Sequence, residues 1–128
     1  MPLTTAGRNF IAQAIMNDAS PVFFTNANSR IAVGDSTTAF NIAHTDLQAA
    51  TNKLRKAMEA TYPQCATNVL TFRATFTTAE ANWVWNEWGV FNAASSGTML
   101  NRKVENLGTK TAAATWVLTV TITVNIGA

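Results

Sequence analysis

The stretch that decides the fold is AEANWVWNEWGVFNAASSGTMLNRKV, residues 79–104. Bulky and polar side chains alternate from Trp83 to Asn92, then a run of small residues, Ala93 to Gly97, leads into a second run through Leu100, Arg102 and Val104. Alternation on both sides of a glycine-containing turn predicts a β-hairpin. A regular first strand would put Trp83, Trp85, Glu87, Gly89 and Phe91 on one face, with Trp88 on the other. A carboxylate among aromatic rings needs a partner, because burying it unpaired is costly. Arg73 on the preceding strand and Arg102 on the following one are the candidates for Glu87.

Outward from the hairpin, Leu70, Phe72, Ala74 and Phe76 share one face of a strand over 68–77. Trp116, Leu118, Val120, Ile122, Val124 and Ile126 alternate with threonine and asparagine in what reads as the longest strand. Residues 106–110 read as the glycine-containing turn before it. Arg30 to Val33 forms a short strand ended by Gly34-Asp35, and 54–62 divides between helix by propensity and strand by context; we take strand. At the N-terminus, Thr4 or Thr5 can cap a helix whose apolar stripe is Phe10, Ile11, Ala14 and Ile15, ended ahead of Pro21. A stripe of about three turns is too short to stand alone in water and must dock, most simply on a sheet. Thr45-Asp46-Leu47-Gln48 has the form of a capping box, predicting a short helix over 46–51. The expected fold is α+β, mainly β: one domain over 1–128, an N-terminal helix packed on an antiparallel meander or sandwich of about five strands.

Composition narrows the function. Apolar residues make up an ordinary 48%, but charged residues only 12%, about half the usual quarter. A thin charge coat is expected where partners cover the surface. The net charge of +2 with scattered basic residues argues against nucleic acid; the Lys53, Arg55, Lys56 trio reads as a solvated strand edge that discourages pairing. One cysteine, Cys65, allows no internal disulfide, and no Cys/His pattern suggests zinc. No secretory signal and no membrane-length apolar run is expected, so the chain reads as soluble and made in the cytoplasm.

No catalytic set stands out, and no metal or cofactor is expected. His44 has no Ser, Cys or acid in a recognisable relay. Glu80 and Glu87, imagined as a sugar-hydrolysing pair, would lie about 23 Å apart along one strand. One glycine in Gly34-Asp35-Ser36 makes no phosphate cradle. Trp83 or Trp85 could stack on a sugar ring, although core packing is the default for most of the tryptophans.

The order of these pieces also resembles a known family: LTTAG opening a helix (Leu3 to Gly7), RIAVGDS (Arg30 to Ser36), LTFRATF (Leu70 to Phe76), EWGVFNAASSGTMLNR (Glu87 to Arg102), then Lys110-Thr111 leading into WVLTVTITV (Trp116 to Val124). It is similar to the domain at the virion-proximal end of tail fibres and related tail proteins of tailed bacteriophages, and to small phage structural proteins built from that domain alone. The resemblance implies a non-enzymatic virion component, synthesised in the bacterial host cytoplasm, that forms a trimer or ring and docks onto other virion proteins. It marks Glu87, Trp88, Gly89, Phe91 and Arg102 as fold-defining, and Trp83, Trp85 and Trp116 join them as core or interface candidates. The chain ends at Ala128 without a shaft or receptor-binding tip, which favours an adaptor, a baseplate or tail-tip piece, or a capsid decoration protein. A carbohydrate-binding module taking a host glycan is the alternative from a different class.

Overall fold

The computed structural model of the protein describes residues 2–125. Helix α1 (Thr5–Met16) is followed by strands β1 (Arg30–Gly34), β2 (Lys53–Ala57), β3 (Gln64–Ala66), β4 (Val69–Phe76), β5 (Val84–Phe91), β6 (Met99–Thr109) and β7 (Trp116–Thr123). The strands form two antiparallel sheets, ordered β2-β1-β5-β6 and β3-β4-β7. The mainly-β, α+β fold expected from the sequence is present, as a sandwich rather than a meander of about five strands. Non-local pairing of β1 with β5 replaces the nearest-neighbour order a meander would have.

Residues from both sheets meet between them: Ile31, Val33, Trp85, Trp88, Val90 and Leu100 from one, Phe72, Ala74, Phe76, Val120 and Ile122 from the other. The alternation read in β4 and β7 produces these inward faces. Ile126, the last apolar position assigned to the C-terminal strand, lies outside the described residues. The longest strand is β6, at 11 residues, not β7. It runs through 106–109, where a turn was expected, because Gly108 and Thr109 go on pairing with Trp85 and Val84 of β5, with Gly108 at φ +106°. The hairpin itself forms, closed over Ala93 to Gly97 by the Thr98 N–H donating to Asn92 Oδ1 at 2.7 Å.

The expected helix over 46–51 is absent. Its backbone N–H groups at Gln48 and Ala49 donate instead to the Glu87 carboxylate, at 2.9 and 2.8 Å. Residues 35–52 therefore run as irregular chain across the outer face of the four-stranded sheet. Leu47 packs there with Ala32, Phe91 and Met99 as a second small core. The basic trio on β2 is not simply solvated: Lys53 and Arg55 reach Asp46, and Lys56 reaches Glu80.

The α1 stripe departs from expectation most. Thr4 caps the helix, accepting from Gly7 N–H at 2.9 Å and donating to Met99 O, while Thr4 N–H donates to Leu100 O. Gly7 is the helix's one buried residue. Beyond this first turn the apolar face is only partly covered: Phe10 packs edge-on against Phe24, ring centroids 5.0 Å apart, but Ile11 is 37% exposed and Ile15 78%. An apolar stripe in sequence announces that something covers it, without saying that the same chain does.

A Cβ on Gly7 would stand 2.1 Å from Leu100 O, so helix and strand touch only because that position is glycine. Replacing an exposed helical glycine by alanine stabilises by about 1 kcal/mol. Here the sign should reverse: Gly7→Ala is expected to lose about 1–3 kcal/mol in urea denaturation, and a gain in stability would contradict this docking.

Candidate functional site

The residues singled out in the sequence are brought together, but inside the molecule. Glu87 and Arg102 are fully buried and paired, Arg102 Nε to Glu87 Oε2 at 2.6 Å. Of the two candidate partners, Arg73 instead pairs with Glu59 at 3.0 Å. The pair holds the 35–52 segment at separate points. Glu87 accepts from Gln48 and Ala49, and Arg102 Nη2 donates to Thr38 O at 2.9 Å. Arg102 Nη1 lies 3.4 Å from His44 Nδ1. Two glycines make room: a Cβ on Gly34 would meet Glu87 Oε1 at 2.5 Å, and one on Gly89 would meet Asn101 O at 2.6 Å.

The tryptophans do not divide as regular alternation predicts. A register irregularity in the β5–β6 ladder between Trp85 and Glu87 breaks the period, as β-bulges do. Trp85 and Trp88 thus both enter the core between the sheets, while Glu87 faces the other way. Trp85 donates to Ala81 O at 2.9 Å and meets Phe76 and Trp116 edge-on, centroids 4.8 and 5.0 Å apart. Trp88 donates to Glu105 at 3.2 Å. Trp83 and Trp116 are half-buried against the same core. None of the four tryptophans offers an exposed ring for stacking a sugar. Phe91 lies on the outer face, with the Arg55 guanidinium 3.6 Å from its ring centroid.

Each carboxylate of the imagined sugar-cleaving pair is engaged by a cation: Glu80 by Lys56, Glu87 by Arg102. Among the described residues no group of three or more His, Cys, Asp or Glu could hold a metal ion, and no helix is long and apolar enough to cross a membrane.

The surface offers a feature that sequence reasoning misses. An apolar groove of about 490 Å³ opens at one end of the sandwich. Its walls include Phe10 and Ile11 of α1, Phe23 and Phe24 of the following loop, Phe72 of β4 and Ile122 of β7. Phe10, Phe24 and Phe72 form its floor by successive edge-to-face contacts, centroids 5.0 and 6.2 Å apart. Around the rim Phe23 is 50% exposed and Val124 57%, and farther along α1 the apolar side chains of Ile15 and Met16 are 78% and 77% exposed. The signal for it in the sequence is the mostly apolar character of 10–16 and 22–24, of which the stripe of α1 has the period of a buried face.

No known protein family matches the sequence, and no curated protein matches it either.

The buried cluster can be tested in two ways. Arg102→Met leaves Glu87 buried without its cation and should remove about 3–5 kcal/mol of stability. Pairing it with Glu87→Gln should restore part of that loss, read by urea denaturation as a double-mutant cycle. His44 supplies the second test. Burial lowers its pKa below 6.5, the adjacent Arg102 lowers it further, and Glu87 opposes them. A histidine held neutral on folding contributes stability above its unfolded pKa and loses it as pH falls through the lower folded value. Thermal stability should therefore decline below about pH 6.5, before carboxylate protonation contributes, and His44→Gln should flatten that limb. An unchanged limb would remove His44 from the cluster.

Proposed function

We propose that the protein is a non-enzymatic structural component of a tailed-bacteriophage virion. It acts as a tail, baseplate or fibre-attachment adaptor that docks onto neighbouring virion proteins. The observation that carries this reading is the uncovered apolar surface formed by the groove and by Ile11, Ile15 and Met16 of α1. Exposed apolar side chains gathered around a groove mark docking sites. The order of motifs resembling virion-proximal tail-fibre domains supplies the class of partner. The low charge content, 12%, fits a surface meant to be covered, and many weak contacts repeated around a symmetric particle give firm attachment. The same surface would serve a capsid decoration protein; copy number separates the two placements, tens per particle for the tail and hundreds for the head shell.

The test is quantitative mass spectrometry of virions purified from the phage that encodes the chain. The protein should be a stoichiometric particle component, and its absence from intact particles would overturn the reading. The double substitution Ile15→Asp, Met16→Asp alters two side chains that are more than three-quarters exposed. It should leave folding stability within about 0.5 kcal/mol yet reduce incorporation at least about tenfold. Normal incorporation of this variant would mean that the docking surface lies elsewhere.

A further inference from the structure

The strand edges of this fold are unequally protected. The β2 edge carries Lys53, Arg55 and Lys56. The start of β6 is covered by the Leu3–Asn101 bridge and the Thr4–Leu100 hydrogen bond, and farther along it carries Lys103 and Glu105. β3 is only three residues long. β7 has none of these devices. It pairs with β4 along all eight of its residues, and among the described residues no strand pairs with its other edge. From Thr111 to Asn125 there is no Asp, Glu, Lys, Arg or Pro. A long uncharged edge is what natural sheets avoid leaving open.

We propose that β7 pairs antiparallel with β7 of a second copy, joining two three-stranded sheets into one continuous six-stranded sheet. This deepens the assembly reading above and rests on it. Charge and symmetry favour a second copy as the occupant. An edge without charges has nothing to neutralise a charged neighbouring strand, whereas its own neutral sequence meets it without electrostatic cost. A two-fold axis at Val120 would set Leu118 opposite Ile122, Thr119 opposite Thr121, and Val117 opposite Thr123. Directly opposed residues of an antiparallel pair lie on the same face, so the buried face made by Leu118, Val120 and Ile122 continues across the junction. The exposed face at Thr119 and Thr121 continues as threonine against threonine, a favourable cross-strand pairing. Ile122 and Thr123 also line the apolar groove, so the junction adjoins it.

Sedimentation of the full chain over a concentration series tests this. The wild-type chain should associate into even-numbered species. Thr119→Lys with Thr121→Lys places lysines opposite lysines across the junction and should weaken association about tenfold or more, with an unchanged circular-dichroism spectrum and, at concentrations too low for association, an unchanged melting curve. In a Cys65→Ser background, Thr119→Cys with Thr121→Cys should yield a covalent dimer with a short bifunctional thiol crosslinker, since opposed Cβ atoms lie about 5 Å apart, somewhat wider than a direct disulfide spans. That readout does not depend on how the lysine variant folds. A wild-type chain that stays monomeric to about 100 μM, or that associates without forming the covalent dimer, overturns the pairing. The presence of the protein in virions judges the assembly reading separately.

Discussion

The buried ion pair between Glu87 and Arg102 is the constraint on which the outer half of this molecule depends. A carboxylate and a guanidinium at zero exposure are tolerable only if their remaining hydrogen-bonding capacity is used. The 35–52 segment uses it, supplying two backbone N–H groups to Glu87 and a carbonyl to Arg102. The dependence is mutual. The segment has no helix or strand of its own, and the pair gives its backbone groups partners; without the segment the pair would face water across an open sheet. Gly34 follows from the same requirement, since a side chain there would collide with Glu87, whereas Gly89 lets β5 lie against the β6 backbone at Asn101.

The two faces of the four-stranded sheet consequently do different things. Its inner face, with Ile31, Val33, Trp85, Trp88 and Val90 excluded from water, closes the sandwich against β4 and β7. Its outer face is sealed by irregular chain rather than by a second layer of regular structure. Among the described residues that leaves α1 as the one helix, anchored by its first turn at Thr4 and Gly7, with its later turns projecting apolar side chains into solvent. The groove beside it and the uncharged β7 edge complete a surface with little polar character. For a chain with so few charges, such a surface is the physical basis for reading it as a component of a larger assembly.

Much of the fold was legible because period-two alternation is hard to mistake where β-branched and aromatic residues dominate, as in β4, β5 and β7. The Glu87–Arg102 pair was legible for a related reason: a lone carboxylate among tryptophans demands a cation, and only two strands could supply one. Three features were hidden. The 46–51 segment carries a capping-box pattern, but a buried carboxylate competes for its N–H groups, and local sequence does not reveal a tertiary acceptor. The irregularity at Trp85–Glu87 comes from the β5–β6 ladder, so it reverses the facing of Trp85 without any signal in β5 itself. The stripe of α1 has the period of a buried face, and periodicity does not distinguish burial by the same chain from burial by another.

The most direct measurement is native-state hydrogen exchange at the backbone amides of Gln48 and Ala49. Both lie in irregular chain, where amides ordinarily exchange through easy local opening. If the Glu87–Arg102 pair binds this segment to the sheet, these two amides should be protected nearly as strongly as those of the central strands β1 and β5, and Arg102→Met should abolish that protection. Exchange at the rate of an open loop in the unaltered protein would contradict it.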